Sequence, residues 1–209
     1  GPFCIATGPE ARTMIISILL LAIFIAVAFA IWAEGTWGGL IMLLNVLLAA
    51  SLATAWYEWV VAWLEPRASS YTYVLDFVAL QGSFALLLLL FRETTDRVSR
   101  TQVRFRKPVE LAVGPIVALL TAWVTICFFA ASLHTAPLPR DLIQPTPVAR
   151  MFFGLSPDRR WLAWVHAATA TGPFARPDHA FDPDADFILR YADRRKALEA
   201  AEGLRVRSR

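Results

Sequence analysis

The sequence predicts an all-α integral membrane protein with four transmembrane helices, an extra-cytoplasmic proline-rich linker and a small helical C-terminal tail. Of its 209 residues, 57% are hydrophobic and only 18% are charged, and the mean hydropathy is +0.51. This composition excludes a disordered chain, a basic nucleic-acid-binding domain and most soluble enzymes. The charges are also unevenly distributed, because residues 14–133 hold 14 of the 37 charged side chains and residues 134–209 hold 21. We therefore predict a membrane domain over 14–133 and a separate soluble tail over 134–209.

The first predicted span covers 14–32, nineteen residues without a charge. As a helix it would be roughly 28 Å long, close to the ~30 Å hydrocarbon core of a bilayer. A cleavable signal peptide is the alternative, since 28–30 resembles a cleavage site, but the apolar segment is too long and no basic segment precedes it. We expect a membrane anchor with its native start at Met14. Residues 1–13 are then expected to be a non-native N-terminal extension.

Three further apolar segments follow the glycine-rich turn at 35–39. Backbone amides find no water partner in hydrocarbon, so each segment is expected to be a helix. Pro115 falls in the first turn of the last one, where a missing N–H group costs little. The four predicted transmembrane helices cover about 14–32, 40–64, 73–91 and 111–133.

The loop between the third and fourth predicted spans, residues 92–107, is strongly basic. The only basic residue of the loop at 64–72 is Arg67. The N-terminus that begins at Met14 has no basic residue before the first span. The positive-inside rule therefore places the 92–107 loop in the cytoplasm and both termini outside. The basic residues of this loop are Arg92, Arg97, Arg100, Arg104, Arg106 and Lys107.

The function predicted for this basic loop is attachment to anionic membrane lipids. Each Lys or Arg near an anionic leaflet contributes about 1 kcal/mol. Arg97, Arg100 and Arg104 would share one face of an amphipathic helix that extends from the third span. Docking of a protein partner is the main alternative, and nucleic-acid binding is the least favoured one.

Four polar side chains lie within the predicted spans: Asn45, Glu58, Asp76 and Gln81. A charged group at membrane depth is costly and is a functional candidate by default. Asp76 and Glu58, however, lie near the outer interface, and the dipole at its helix N-terminus favours the Asp76 carboxylate. We therefore favour a structural role over a proton relay for both. Asn45 and Gln81 are expected to form modest hydrogen bonds between helices.

The tail begins with a proline-rich linker. A short helical segment is predicted over 150–169, opened by Ser156-Pro157-Asp158 as a cap, with an apolar face that packs either on the outer membrane interface or against the spans. The alternating Asp182, Asp184 and Asp186 resemble the start of a calcium loop but lack its later glycine and glutamate, so a turn and helix cap are favoured. His166 and His179 suggest a metal or catalytic pair, but no nucleophile or third ligand accompanies them. We predict no catalytic residue, no metal and no cofactor.

The arrangement over 14–133 resembles the CvpA family, the bacterial colicin V production membrane proteins. The resemblance rests on four spans, Gly35, Gly38 and Gly39 in the first turn, the sequence Asp96-Arg97-Val98, and Gly114 in the last span. It implies an inner-membrane protein that takes part in toxin production or secretion and in envelope homeostasis, without a catalytic residue to carry over. The chain departs from the family by lacking a basic residue in the first turn and by its long tail.

These observations lead to a non-enzymatic, multi-pass protein of the bacterial inner membrane with both termini extra-cytoplasmic. An oligomeric channel or transporter subunit is the alternative, and a membrane-embedded enzyme is a weaker third one. The expected partners are membrane lipids, an envelope or secretion protein bound through the tail, and further copies of the chain. Nucleic acid is not expected.

Overall fold

The described part of the chain is built from five α-helices without a strand, which confirms the all-α prediction. The computed structural model describes residues 9–67, 72–99, 105–138, 143, 150–171 and 180–205. The helices are α1 (Pro9–Leu64), α2 (Thr72–Val98), α3 (Lys107–Leu133), α4 (Pro157–Thr171) and α5 (Phe187–Arg205), and a 3-10 turn, Glu65–Arg67, follows α1.

Three of these helices are long and apolar enough to cross a membrane, which indicates a multi-pass membrane protein. They contain the candidate spans Met14–Arg67, Val74–Val98 and Lys107–Leu133. The second of these continues seven residues beyond the predicted boundary at 91, and the third begins four residues before the predicted boundary at 111. The first includes both of the spans predicted over 14–32 and 40–64.

Helix α1 changes direction sharply at Gly35. This residue has φ 83° and ψ 174°, outside the helical region and in a region that is almost exclusive to glycine. A methyl group on Gly39 would lie 3.2 Å from Ile31 Cγ2, although residues eight apart in a straight helix are about 12 Å apart along the axis. Helix α1 therefore consists of two helical halves, and the second folds back beside the first.

Helix α3 packs against both halves of α1. Leu20 of the first half lies in one buried cluster with Ile126 of α3, and Ala53 of the second half lies in another with Phe128. Ala53 and its neighbour Ala50 are fully buried. Small side chains of this kind let helix backbones approach closely and pack by van der Waals contact.

The bundle has two distinct ends, the turn end and the cap end. The turn end contains residues 34–38, 92–99 and 105–110, and it is held together by the bond from the Thr36 amide to Glu110 Oε1 (2.7 Å). The cap end lies opposite. It contains residues 54–67, 74–81 and 131–138 together with helices α4 and α5.

The tail is not a separate soluble unit, which differs from the prediction. Trp161 and Val165 of α4 and Phe187 and Tyr191 of α5 belong to the same buried cluster as Phe128 of α3. These side chains form an apolar face that would be exposed if the tail were detached. The proline-rich linker lies largely in 139–149, of which the structure describes only Ile143, a buried residue.

A left-handed turn precedes α4, in a segment that was predicted to be helical from residue 150. Phe152, Phe153 and Gly154 have φ values of 51°, 53° and 86°. The turn is closed by a hydrogen bond of 3.2 Å from the Ser156 amide to the Met151 carbonyl. The left-handed residues prevent a helix here, so α4 begins at Pro157, where the cap Ser156-Pro157-Asp158 was predicted.

Candidate functional site

The two acidic residues predicted within the spans pair with α5 at the cap end. Asp76 is buried and accepts a hydrogen bond from Arg194. Glu58 Oε1 lies 3.5 Å from Arg190 Nη1. The partners are 118 and 132 residues apart in the sequence. Both carboxylates therefore help to hold the tail on the membrane helices.

A chain of phenol groups runs beside these ion pairs. The Tyr191 hydroxyl donates to the Tyr57 hydroxyl (3.3 Å), which donates in turn to Glu58 Oε1 (3.1 Å). Burial raises the pKa of Tyr191 to about 12, because removal from water disfavours the charged phenolate. The Tyr191 phenol thus keeps its proton at neutral pH and remains a hydrogen-bond donor to Tyr57.

The two uncharged polar residues predicted within the spans form hydrogen bonds between helices. Gln81 of α2 donates to Ser132 Oγ of α3 at 2.6 Å. Asn45 of α1 donates to Thr95 Oγ1 of α2 at 3.0 Å. Each bond satisfies polar atoms that would otherwise face apolar surroundings. The two bonds join α2 to α1 and to α3.

A buried histidine and aspartate connect α3 to α4. His134 Nε2 lies 3.0 Å from Asp158 Oδ2, and both side chains are completely buried. Beside them, the Trp161 indole donates to Thr54 Oγ1 at 3.1 Å. His166 was a candidate in the sequence for a metal or catalytic pair, whereas His134 was not. The sequence does hold a sign of this pair, because His134 directly follows the last apolar span and Asp158 falls in the first turn of the next helix.

Two of the basic residues predicted in the 92–107 loop pair with carboxylates of the chain. Arg92 pairs with Glu34 at 3.0 Å and Arg97 with Glu93 at 2.8 Å. Helix α2 ends at Val98, seven residues beyond the predicted end of the third span, and the rest of the predicted amphipathic face lies outside the described residues. Arg100 and Arg104 lie outside the described residues. Arg106 has extended backbone just before α3, and Lys107 is the first residue of that helix.

The turn end contains an open cavity of about 450 Å³. Its wall comes from the Gly35 turn, from the start of α3 and from Phe105, which lies between α2 and α3. Trp37 and Phe105 have ring centroids 6.4 Å apart. The side chains that line the cavity include Trp32, Glu34, Thr36, Trp37, Phe105, Lys107 and Glu110. The site therefore combines aromatic rings with charges of both signs.

The aspartates of the tail form a turn and a helix cap. Asp182 Oδ1 accepts hydrogen bonds from the amides of Asp186 (2.9 Å) and Phe187 (3.2 Å) at the start of α5. His166 Nδ1 lies 2.9 Å from the Phe181 carbonyl, and His179 lies outside the described residues. Within the described ranges, no three His, Cys, Asp or Glu side chains group together as metal ligands.

Comparison with known proteins found no match for this chain. No family model, no curated protein and no solved structure matches this chain.

Proposed function

We propose that the protein is a non-enzymatic accessory or scaffold protein of the CvpA type, with four crossings of a bacterial inner membrane. The observation that carries the proposal is the pairing of the polar side chains at membrane depth. Asn45 and Gln81 bond to neighbouring helices, and Asp76 bonds to the tail. Such pairs join helices, whereas an ion or proton pathway uses polar groups that face a water-filled route.

The four-crossing topology is supported by the shape of α1. The halves 14–34 and 36–64 would be roughly 31 and 43 Å long at ~1.5 Å per residue, and each exceeds the ~30 Å of the hydrocarbon core. Together with α2 and α3 they make four crossings, so that the two termini lie on the same side. The basic loop is at the turn end, and the positive-inside rule then assigns that end to the cytoplasm.

The resemblance to the CvpA family supplies the proposed process, which is toxin production or secretion together with envelope homeostasis. Two glycines that carry the resemblance lie at one place in the fold. These are Gly35 and Gly114. A methyl group on Gly114 would lie 3.2 Å from Oγ1 of Thr36, the residue that follows Gly35. At the cap end, exposed Trp164 and Leu189 provide apolar surface for an envelope or secretion partner.

A flux measurement tests the scaffold role. The full chain is reconstituted in liposomes, and proton and monovalent cation flux is measured beside protein-free liposomes and the Asp76→Asn variant. We expect both proteins to show only the background rate. A flux above background that Asp76→Asn abolishes would instead establish the channel or transporter alternative.

Labelling of two engineered cysteines tests the topology. Val98 at the turn end is 81% exposed and Leu189 at the cap end is 52% exposed, so the variants Val98→Cys and Leu189→Cys are a matched pair. A membrane-impermeant maleimide should label Leu189→Cys in intact spheroplasts and Val98→Cys only after permeabilisation. The opposite pattern would reverse the orientation, and labelling of both in intact cells would exclude four crossings. Cys4 and Cys127 are first replaced by Ala.

A further inference from the structure

We propose that the cavity at the turn end binds the headgroup of a zwitterionic aminophospholipid, with the ammonium group between Glu34, Glu110 and the aromatic rings and the phosphate near Lys107. This site is separate from the scaffold role. It shares Lys107 with the predicted basic loop and adds two carboxylates and three aromatic rings that the prediction did not include. It also predicts a different lipid preference from that of a basic loop, because its wall carries two carboxylates and one ammonium group.

The carboxylates come from two separate elements and are held in place by other contacts. Glu110 Oε1 of α3 accepts the Thr36 amide at 2.7 Å, and Glu34 Oε1 of α1 pairs with Arg92 at 3.0 Å. A carboxylate has two oxygens and about four acceptor positions. Each group therefore keeps acceptor capacity for a ligand ammonium after its protein contact is made.

The aromatic side chains give the cavity a second attraction for a cation. Trp32, Trp37 and Phe105 line it, and the last two have centroids 6.4 Å apart. The face of an aromatic ring attracts an ammonium group within about 6 Å of its centroid. Lys107 is the cationic residue in the wall, and its ammonium group is suited to a phosphate.

A buried hydroxyl in the same wall remains unmatched. Thr36 is 2% exposed, and its Oγ1 has no hydrogen-bond partner within the described part of the chain. Buried polar atoms normally have a partner from protein, water or ligand. The Thr36 Oγ1 faces α3, 3.2 Å from where a methyl group on Gly114 would lie, so we assign the ligand to the carboxylates, Lys107 and the aromatic rings that line the cavity.

The surface around the cavity identifies the ligand as a lipid rather than a free ammonium compound. Phe29 lies one helical turn before Trp32, and Leu111 follows Glu110. They are 68% and 74% exposed. These two large apolar side chains are each within one helical turn of a residue that lines the cavity, and they fit acyl chains outside a bound headgroup. Tryptophan at this position is also typical of the headgroup level of a bilayer.

Native mass spectrometry of the full chain tests the proposal. Detergent-solubilised protein is incubated with phosphatidylethanolamine or with phosphatidylglycerol of the same acyl chains, and the lipid-bound fraction is measured. We expect phosphatidylethanolamine to be retained about fivefold more, because only its headgroup offers an ammonium for charge-assisted bonds. Glu110→Gln, which keeps an acceptor for the Thr36 amide, and Glu34→Gln should each lower its retention about fivefold.

Glu93→Gln is the matched control. It removes the same charge at the same end, from an exposed residue outside the cavity, and should leave retention unchanged. Equal retention of the two lipids, or the same loss in Glu93→Gln as in the cavity variants, would overturn the site. Binding of millimolar phosphoethanolamine by a protein that retains neither lipid would overturn the lipid assignment. Glu34 lies at the half-exposed rim, so its variant tests the site if Glu110→Gln does not fold.

Discussion

The two ends of the bundle are stabilised in different ways. At the cap end the important pairs are buried and join distant parts of the chain, as His134 and Asp158 do with both side chains completely buried. At the turn end the pairs are exposed and mostly local, as Arg97 and Glu93 are, four residues apart on one helix. The shape of the turn end is instead set by the backbone of Gly35.

This difference leads to different energies for similar contacts. Removing one partner of a buried pair costs about 3–5 kcal/mol, because the other group is left without compensation. An exposed ion pair contributes about 0–1 kcal/mol. We therefore expect side-chain substitutions to destabilise the cap end most, whereas at the turn end the backbone is the sensitive element.

The largest effect is expected for Asp158→Ala at the cap end. The change leaves His134 buried without its carboxylate, and the free energy of unfolding should fall by about 3–5 kcal/mol. Thermal unfolding of the detergent-solubilised protein, followed by circular dichroism, measures the change. The control is Asp96→Ala, which breaks a contact of 3.8 Å between exposed side chains of Arg92 and Asp96. Equal losses of stability in the two variants would contradict the proposed difference between the ends.

Gly35→Ala should have the next largest effect, and it tests the turn end. Alanine is strained at φ 83° and ψ 174°, and its Cβ would lie 2.8 Å from Glu110 Oε1. Backbone strain and the disturbed Glu110 contact together predict a loss of about 2–3 kcal/mol. Gly82→Ala is the control, since nothing lies within 4 Å of its new Cβ, and it should be neutral or slightly stabilising. Unfolding in denaturant compares the two, and a neutral Gly35→Ala would mean that the turn tolerates a side chain.

A smaller effect is expected for Arg194→Gln. The change leaves Asp76 buried without its ion pair, but the Arg194 side chain is 39% exposed, and water can partly replace it. We expect a loss of about 1–2 kcal/mol, together with faster amide hydrogen exchange in α5, because the pair holds this helix on the membrane domain. Lys196→Gln, an exposed position in α5, is the control. Unchanged exchange in Arg194→Gln would show that apolar contacts alone hold the helix.

The helical segments could be predicted from the sequence because each is a long apolar run of about the length of a bilayer core. The Gly35 turn was also visible, as three glycines within five residues. The position of the tail was predictable only as two alternatives for its first helix, the membrane interface or the spans, because the composition of the tail is that of a soluble segment. Its apolar side chains, such as Trp161 and Val165, are few, and only the folded chain brings them against α3.

The candidate sites were predictable to the same extent, because the sequence shows single polar residues but not their distant partners. Asn45 and Gln81 could be identified from the sequence because they are polar residues in an apolar run. Their partners, Thr95 and Ser132, could not be identified, because each lies some 50 residues away in the sequence. The cavity was missed for another reason. Glu110 falls at the edge of a predicted span and attracts no attention until the Gly35 turn brings it to the Thr36 amide.

The smallest effect is expected for Arg97→Gln at the turn end. Arg97 and Glu93 lie 2.8 Å apart with side chains 75% and 64% exposed. Water and salt screen such a pair, so the loss should be at most about 0.5 kcal/mol. It should also disappear at about 1 M salt, where the screening length is only about 3 Å. Thermal unfolding at low and high salt measures both effects. A loss above 1 kcal/mol that survives high salt would mean that Arg97 is held in a contact beyond the exposed pair, and the turn end would then resemble the cap end.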